Sequence, residues 1–78
     1  MNKIKFRTFV KTYLVLKGKS SANTLAEAFN SIGFEKHDVS SKQVGAFLRR
    51  ECNKSTESTI LHNLKFDVIN NVKYYYLD

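Results

Sequence analysis

The sequence predicts an α+β fold, a three-helix bundle closed by a C-terminal β-hairpin. Three observations predict it. Apolar residues recur at helical spacing through the first half of the chain. Ser40 to Glu51, SSKQVGAFLRRE, reads as a short basic helix with a capping signal at its start. Leu64 to Leu77 then alternates about Asn70-Asn71, as LKFDVI-NN-VKYYYL, which is the pattern of a hairpin with its turn marked.

The first helix is expected over about Lys5 to Lys17. Phe6, Phe9, Val10, Tyr13 and Leu14 fall at i, i+3, i+4, i+7 and i+8, one stripe of a helix, with Lys5, Lys11 and Thr12 off it. Gly18 supplies the stop, and Lys17 and Lys19 suit the negative end of the helix dipole. Early charge and later apolar residues give this segment a trace of a secretory leader. Lys11 and Lys17 interrupt it and no A-x-A-like site follows, so it reads as a helix of the folded domain. In the second helix Ser20-Ser21 provides the cap, Leu25, Ala26, Phe29 and Ile32 the apolar face, and Gly33 the end. Glu27 is expected in solvent, and Phe34 is expected to fold back onto the helix beyond its glycine.

Phe34 to Val39 is a polar connection with an apolar residue at each end. Helix three opens at Ser40 with Gln43 three residues on, the pattern of a capping box. Val44, Phe47 and Leu48 point inward at i, i+3 and i+4, leaving Lys42, Gln43, Ala46, Arg49 and Arg50 outside. Gly45 in mid-helix costs about 1 kcal/mol relative to alanine. Close packing on helix two, or close approach of a ligand's backbone, would justify it. Asn53 to Thr59 has no apolar residue and reads as a loop. A two-residue turn at Asn70-Asn71 pairs Ile69 with Val72, Val68 with Lys73, Asp67 with Tyr74, Phe66 with Tyr75, Lys65 with Tyr76 and Leu64 with Leu77. Leu64, Phe66, Tyr75 and Leu77, with the stems of Val68 and Lys73, form the face expected to be buried. Lys65, Asp67, Tyr74 and Tyr76 form the other. A lone hairpin is marginal in water, so this one is expected to lie on the helices, with His62 at the start of its first strand.

Composition narrows the function. Without proline, repeat or linker, 78 residues suit one domain, residues 1–78, with a small core. No apolar run approaches the length of a membrane span. The single cysteine, Cys52, cannot form an internal disulfide, which suits a reducing cytoplasm. The formal charge is +6, and its placement matters more than its size. Residues 1–20 carry Lys3, Lys5, Arg7, Lys11, Lys17 and Lys19 with no acid, whereas the rest of the chain holds seven bases and seven acids. A chain so lopsided attracts polyanions.

Catalytic patterns are missing. His37-Asp38 beside Ser40 and Ser41 has the residue types of a triad, but sequence neighbours do not orient one another as a triad requires. No glycine elbow or oxyanion-hole motif accompanies them. His37, His62 and Cys52 lack metal-ligand spacing, and the three glycines form no phosphate-cradling loop. No catalytic residue, metal or cofactor is expected.

Binding chemistry is concentrated in helix three. Ser40 and Ser41 are small enough to let a phosphate reach the free backbone N–H groups of the helix start. Lys42, Gln43, Ala46 and Arg49 fall on one outward face, where glutamine pairs with adenine and arginine with guanine in a major groove. This arrangement, over about residues 5–78, resembles the winged helix-turn-helix superfamily in element order and polarity. The resemblance implies that helix three enters the major groove and that the hairpin contacts backbone or minor groove. It maps Ser41, Lys42, Gln43, Ala46, Arg49 and Arg50 to the recognition helix, and Ile69, Asn70, Asn71 and Lys73 to the wing tip. The Gly33–Val39 connection is longer than the tight turn of that motif, and the tip carries no arginine, so the wing is expected to be mainly structural. Lys3, Lys5, Arg7 and Ser40 are the expected phosphate contacts. Neutralising roughly five phosphates would make log K fall with log salt at a slope near −4.5.

The function expected is that of a small cytoplasmic, nucleoid-associated DNA-binding protein, a transcriptional regulator with duplex DNA as partner, and with possible homodimerisation through the hairpin or helix one. A short chain of this kind is common among phage and mobile-element regulators. Two other uses fit the same features: a winged-helix module that docks a protein, and a single-stranded nucleic-acid binder that stacks bases on Tyr74 and Tyr76.

Overall fold

Helix α1, Lys3–Lys17, begins two residues before its expected start because Asn2 caps it. The Lys5 amide donates to Asn2 Oδ1 at 3.1 Å. A computed structural model describes residues 2–33, 37–53 and 60–78. Phe6, Val10 and Leu14 are buried along α1, with Phe9 and Tyr13 packed beside them. Gly18 closes the helix at φ 81°, its amide donating to the Leu14 carbonyl.

Ser20–Ser21 does two jobs. The pair forms a short strand, β1, and Ser21 caps helix α2, Ala22–Ile32, accepting from the Thr24 amide at 3.2 Å. The capping role matches the sequence; the strand does not follow from it, because β1 exists only through pairing with a segment more than fifty residues away. Leu25, Ala26 and Phe29 are buried as expected. Ile32 is not: it is 48% exposed, one turn beyond the point where α2 leaves the core. Gly33 ends the helix in the left-handed region, at φ 76°. The expected return of Phe34 onto α2 lies outside the described residues, as does the connection from 54 to 59.

Helix α3, Ser41–Asn53, follows a side-chain clamp. Asn30 on α2 donates from Nδ2 to the Val39 carbonyl and accepts from the Val39 amide, both at 2.8 Å. That pair of hydrogen bonds to one residue sets the entry of α3 relative to α2. The capping box is complete: the Gln43 amide donates to Ser40 Oγ at 3.1 Å, and the Ser40 amide to Gln43 Oε1 at 2.9 Å. Val44, Phe47 and Leu48 are buried, and so is Glu51. The helix runs two residues past its expected end and takes in Asn53.

Strands β2, Leu64–Ile69, and β3, Val72–Leu77, pair in the expected register throughout. Asn70 and Asn71 both adopt positive φ, 52° and 64°, the conformation a two-residue type I′ turn requires. With β1 alongside β3, the described sheet is antiparallel in the order β1-β3-β2. His62 lies in the turn before β2, not in the strand itself. The face expected to be buried is buried only near its base. Leu64 and Tyr75 are covered and Leu77 packs against the core, whereas Phe66 and Val68 are 39% and 59% exposed. The hairpin outruns the helices, and its distal half stands in water.

The three helices meet through aromatic rings. Phe6 packs edge-on against Phe29 of α2 at 5.0 Å and against Phe47 of α3 at 5.2 Å between centroids. Leu61 and Leu64 close the base of the sheet over this cluster.

Candidate nucleic-acid interface

Along the outer face of α3, Ser41, Lys42, Gly45, Ala46 and Arg49 form one wall of a groove of about 560 Å³. Asn71, Val72, Lys73 and Tyr75 of the hairpin form the opposite wall, and Ala22 and Asn23 at the start of α2 close one end. Lys42, Gly45, Ala46 and Arg49 share a wall because they recur at i, i+3, i+4 and i+7. Small residues set its breadth, and its charged lining residues are Lys42, Arg49 and Lys73. No acid lines it. A trough edged by cations and lined between them by alanine and glycine suits an anionic chain lying along it.

Gly45 sits on this wall. A Cβ built on it would come no closer than 3.8 Å to the Ala22 side chain, an ordinary contact. Packing on α2 therefore does not require glycine.

Two titratable groups lie in or near the groove, Tyr75 in its lining and Cys52 on α3 behind it. Burial pushes the Cys52 thiol up, and the nearby Lys73 ammonium pulls it partway back. Burial likewise raises the Tyr75 phenol; the neighbouring Cys52 adds to this and Arg49 opposes it. Lys73 also lies 4.8 Å over the Phe66 ring.

The expected site residues divide. Lys42, Ala46, Arg49, Ser41, Asn71 and Lys73 come together around the groove. Gln43 and Arg50 fall about a quarter-turn away along α3 and are not among its lining residues. Gln43 is committed to the cap through Oε1, so the bidentate adenine pair expected of it competes with a bond that starts the helix. Ser40 serves the same cap through its hydroxyl.

Arg7 is the main correction. It was expected to meet phosphate, yet its Nε and Nη2 donate to the two carboxylate oxygens of Glu51 at 2.8 and 3.1 Å. Its guanidinium also lies 5.3 Å from the Phe47 ring centroid. The Glu51 bond raises the already high pKa of the arginine. With the Glu51 side chain only 5% exposed, this bidentate pair is a joint between α1 and α3, not an open charge. Lys3 and Lys5 remain exposed on α1. Asn70 stands exposed at the hairpin tip beside Asn71.

The tyrosines are less open than alternation alone suggests. Lys19 lies 5.0 Å over the Tyr76 ring and bonds Asp67 at 2.6 Å, while β1 runs alongside Tyr74 and Tyr75. Ala22, Asn23 and Gly45 were not anticipated as groove residues. Gly45 alone carried a signal, its cost in mid-helix.

The chain matches no family model, no curated protein and no solved structure. Among the described residues, no helix is long and apolar enough to cross a membrane.

Proposed function

We propose that the chain is a winged-helix DNA-binding protein that occupies duplex DNA as a transcriptional regulator. The observation that carries this reading is the groove between α3 and the hairpin, whose charged lining among the described residues is Lys42, Arg49 and Lys73. In this reading α3 enters the major groove with Lys42, Ala46 and Arg49 leading, and one phosphodiester strand runs between α3 and the wing. Lys73 then contacts phosphate, which gives the wing a larger part than its short tip suggests. Lys3 and Lys5 add attraction from α1, while Arg7 acts through the position of α3.

The rival use as a single-stranded binder is disfavoured by Lys19, which covers the Tyr76 ring that a base would need. Fluorescence anisotropy on a labelled duplex at several salt concentrations tests the proposal. Three groove cations alone give a slope of log K on log salt near −2.7, and recruitment of the α1 lysines steepens it toward about −4.5. A Lys42→Ala/Arg49→Ala/Lys73→Ala variant is expected to lose most duplex affinity and flatten the slope. Undiminished binding by that variant would reject the groove as the site. Absence of any salt-dependent binding by the parent chain would reject DNA altogether and leave the protein-docking module.

A further inference from the structure

Strand β2 is an edge: β3 lies on one side of it, and no described strand lies on the other. In a hairpin with a two-residue turn, the residues flanking the turn exchange both backbone bonds, and such pairs alternate along the ladder. Ile69, Asp67 and Lys65 therefore bond β3. The Asp78 amide donating to the Asn63 carbonyl at 3.1 Å continues this odd-numbered series. The backbone groups of Leu64, Phe66 and Val68 point the other way, outward from the sheet. Phe66 and Val68 are also the apolar side chains that the hairpin leaves in water.

We propose that this edge is a subunit interface, on which β2 of a second copy pairs antiparallel about a two-fold axis at Phe66. That register sets Phe66 against the partner's Phe66 and Leu64 against the partner's Val68, so the outward backbone groups of these three residues are satisfied together. It also sets Lys65 opposite the partner's Asp67, and Asp67 opposite the partner's Lys65. Sliding the partner by one allowed step in either direction instead opposes Lys65 to Lys65 or Asp67 to Asp67, and leaves outward groups unpaired. Hydrogen bonding and charge select the same alignment. Edge lysines usually keep strands apart, but here Lys65 meets a carboxylate. Its present partner Asp78, at 3.7 Å, and the Lys19 partner of Asp67 are exposed pairs that yield readily to a cross-strand one. The two-fold axis is perpendicular to the sheet, so both copies carry α3 on the same face. This pairing does not depend on the DNA reading.

Sedimentation equilibrium of the full chain over a hundredfold concentration range tests it, with circular dichroism confirming that each variant is folded. The parent chain is expected to dimerise reversibly. Asp67→Lys places like charges opposite one another at two symmetric positions and is expected to raise the dissociation constant about tenfold or more. The double exchange Lys65→Asp/Asp67→Lys restores opposite charges across the axis and is expected to recover dimerisation, although it abolishes the internal Lys19 pair. A parent chain that stays monomeric would overturn the proposal. So would an Asp67→Lys variant that dimerises as tightly as the parent, or a folded double variant that does not recover.

Discussion

Replacing Gly45 by alanine separates what the fold needs from what a ligand needs. The substitution adds one methyl group to the wall of the groove, 3.8 Å from the Ala22 side chain, where there is room for it. Gly45 lies within the helical span of α3, and its φ is not positive, so alanine adopts its conformation without strain. Folding should therefore gain the helix-propensity difference, about 1 kcal/mol. For a domain of this length that raises the midpoint of thermal unfolding by ~4–8 °C. Duplex binding should move the other way. A methyl group standing out of the wall holds the nucleic-acid backbone off Lys42 and Arg49, and loss of one good contact, ~1–3 kcal/mol, weakens binding by about fivefold or more. Thermal unfolding by circular dichroism and duplex titration by anisotropy read the two effects on one protein sample. A rise in stability with unchanged affinity would refute the idea that ligand approaches at Gly45. A fall in stability would refute the steric argument itself and return the glycine to helix packing.

Three further outcomes follow from particular contacts. Arg7→Ala leaves the Glu51 carboxylate buried without its partner and should cost about 3 kcal/mol in urea unfolding, whereas Glu51→Gln should cost less, because Arg7 is partly solvated. Equal losses below about 0.5 kcal/mol would show the pair to be idle. Gln43→Ala should lower stability by ~0.5–1 kcal/mol through the cap while leaving any base preference unchanged in duplex competition. A lost preference would make Gln43 a reader after all. Stability should also decline in alkali. Burial holds the Cys52 thiol and Tyr75 phenol protonated in the fold, so their folded pKa values lie above the unfolded ones. Their contribution is complete below the ordinary values, about 8.5 and about 10, and is lost as pH climbs from there through the raised folded values. Tyr75→Phe should remove the upper part of that decline in denaturant titrations from about pH 7 to about pH 11.

The elements legible in the chain are those whose causes are local. Helix α1 announces itself through Phe6, Val10 and Leu14 at helical spacing, and α3 through Ser40 and Gln43, which close the box within a single turn. The hairpin register follows from Asn70 and Asn71, because tolerance of positive φ at two adjacent residues dictates every pair along the ladder. Lys42, Ala46 and Arg49 could be placed on one face for the same reason: helical geometry relates neighbours a few residues apart.

What depends on one element crossing another was invisible to such reasoning. Arg7 and Glu51 are forty-four residues apart, and each alone looks like an exposed charge on a helix. Only the angle at which α1 meets α3 makes them a part-buried pair and commits the Arg7 guanidinium to Glu51. Ser20-Ser21 becomes a strand only because β3 passes beside it, and Phe66 and Val68 lose their cover because the helices end before the hairpin does. The groove is of the same kind. Its cations come from α3 and the hairpin, while Gly45 and Ala22 shape it from two helices, and no period in the sequence relates those positions. The order of helices and hairpin, the Ser21 and Ser40 caps, the turn and its register follow from the chain alone, since each rests on bonds made within a few residues or propagated from one turn. Which charges remain available and where they converge depends on how the elements pack, because burial and proximity belong to whole elements and not to neighbours in the chain.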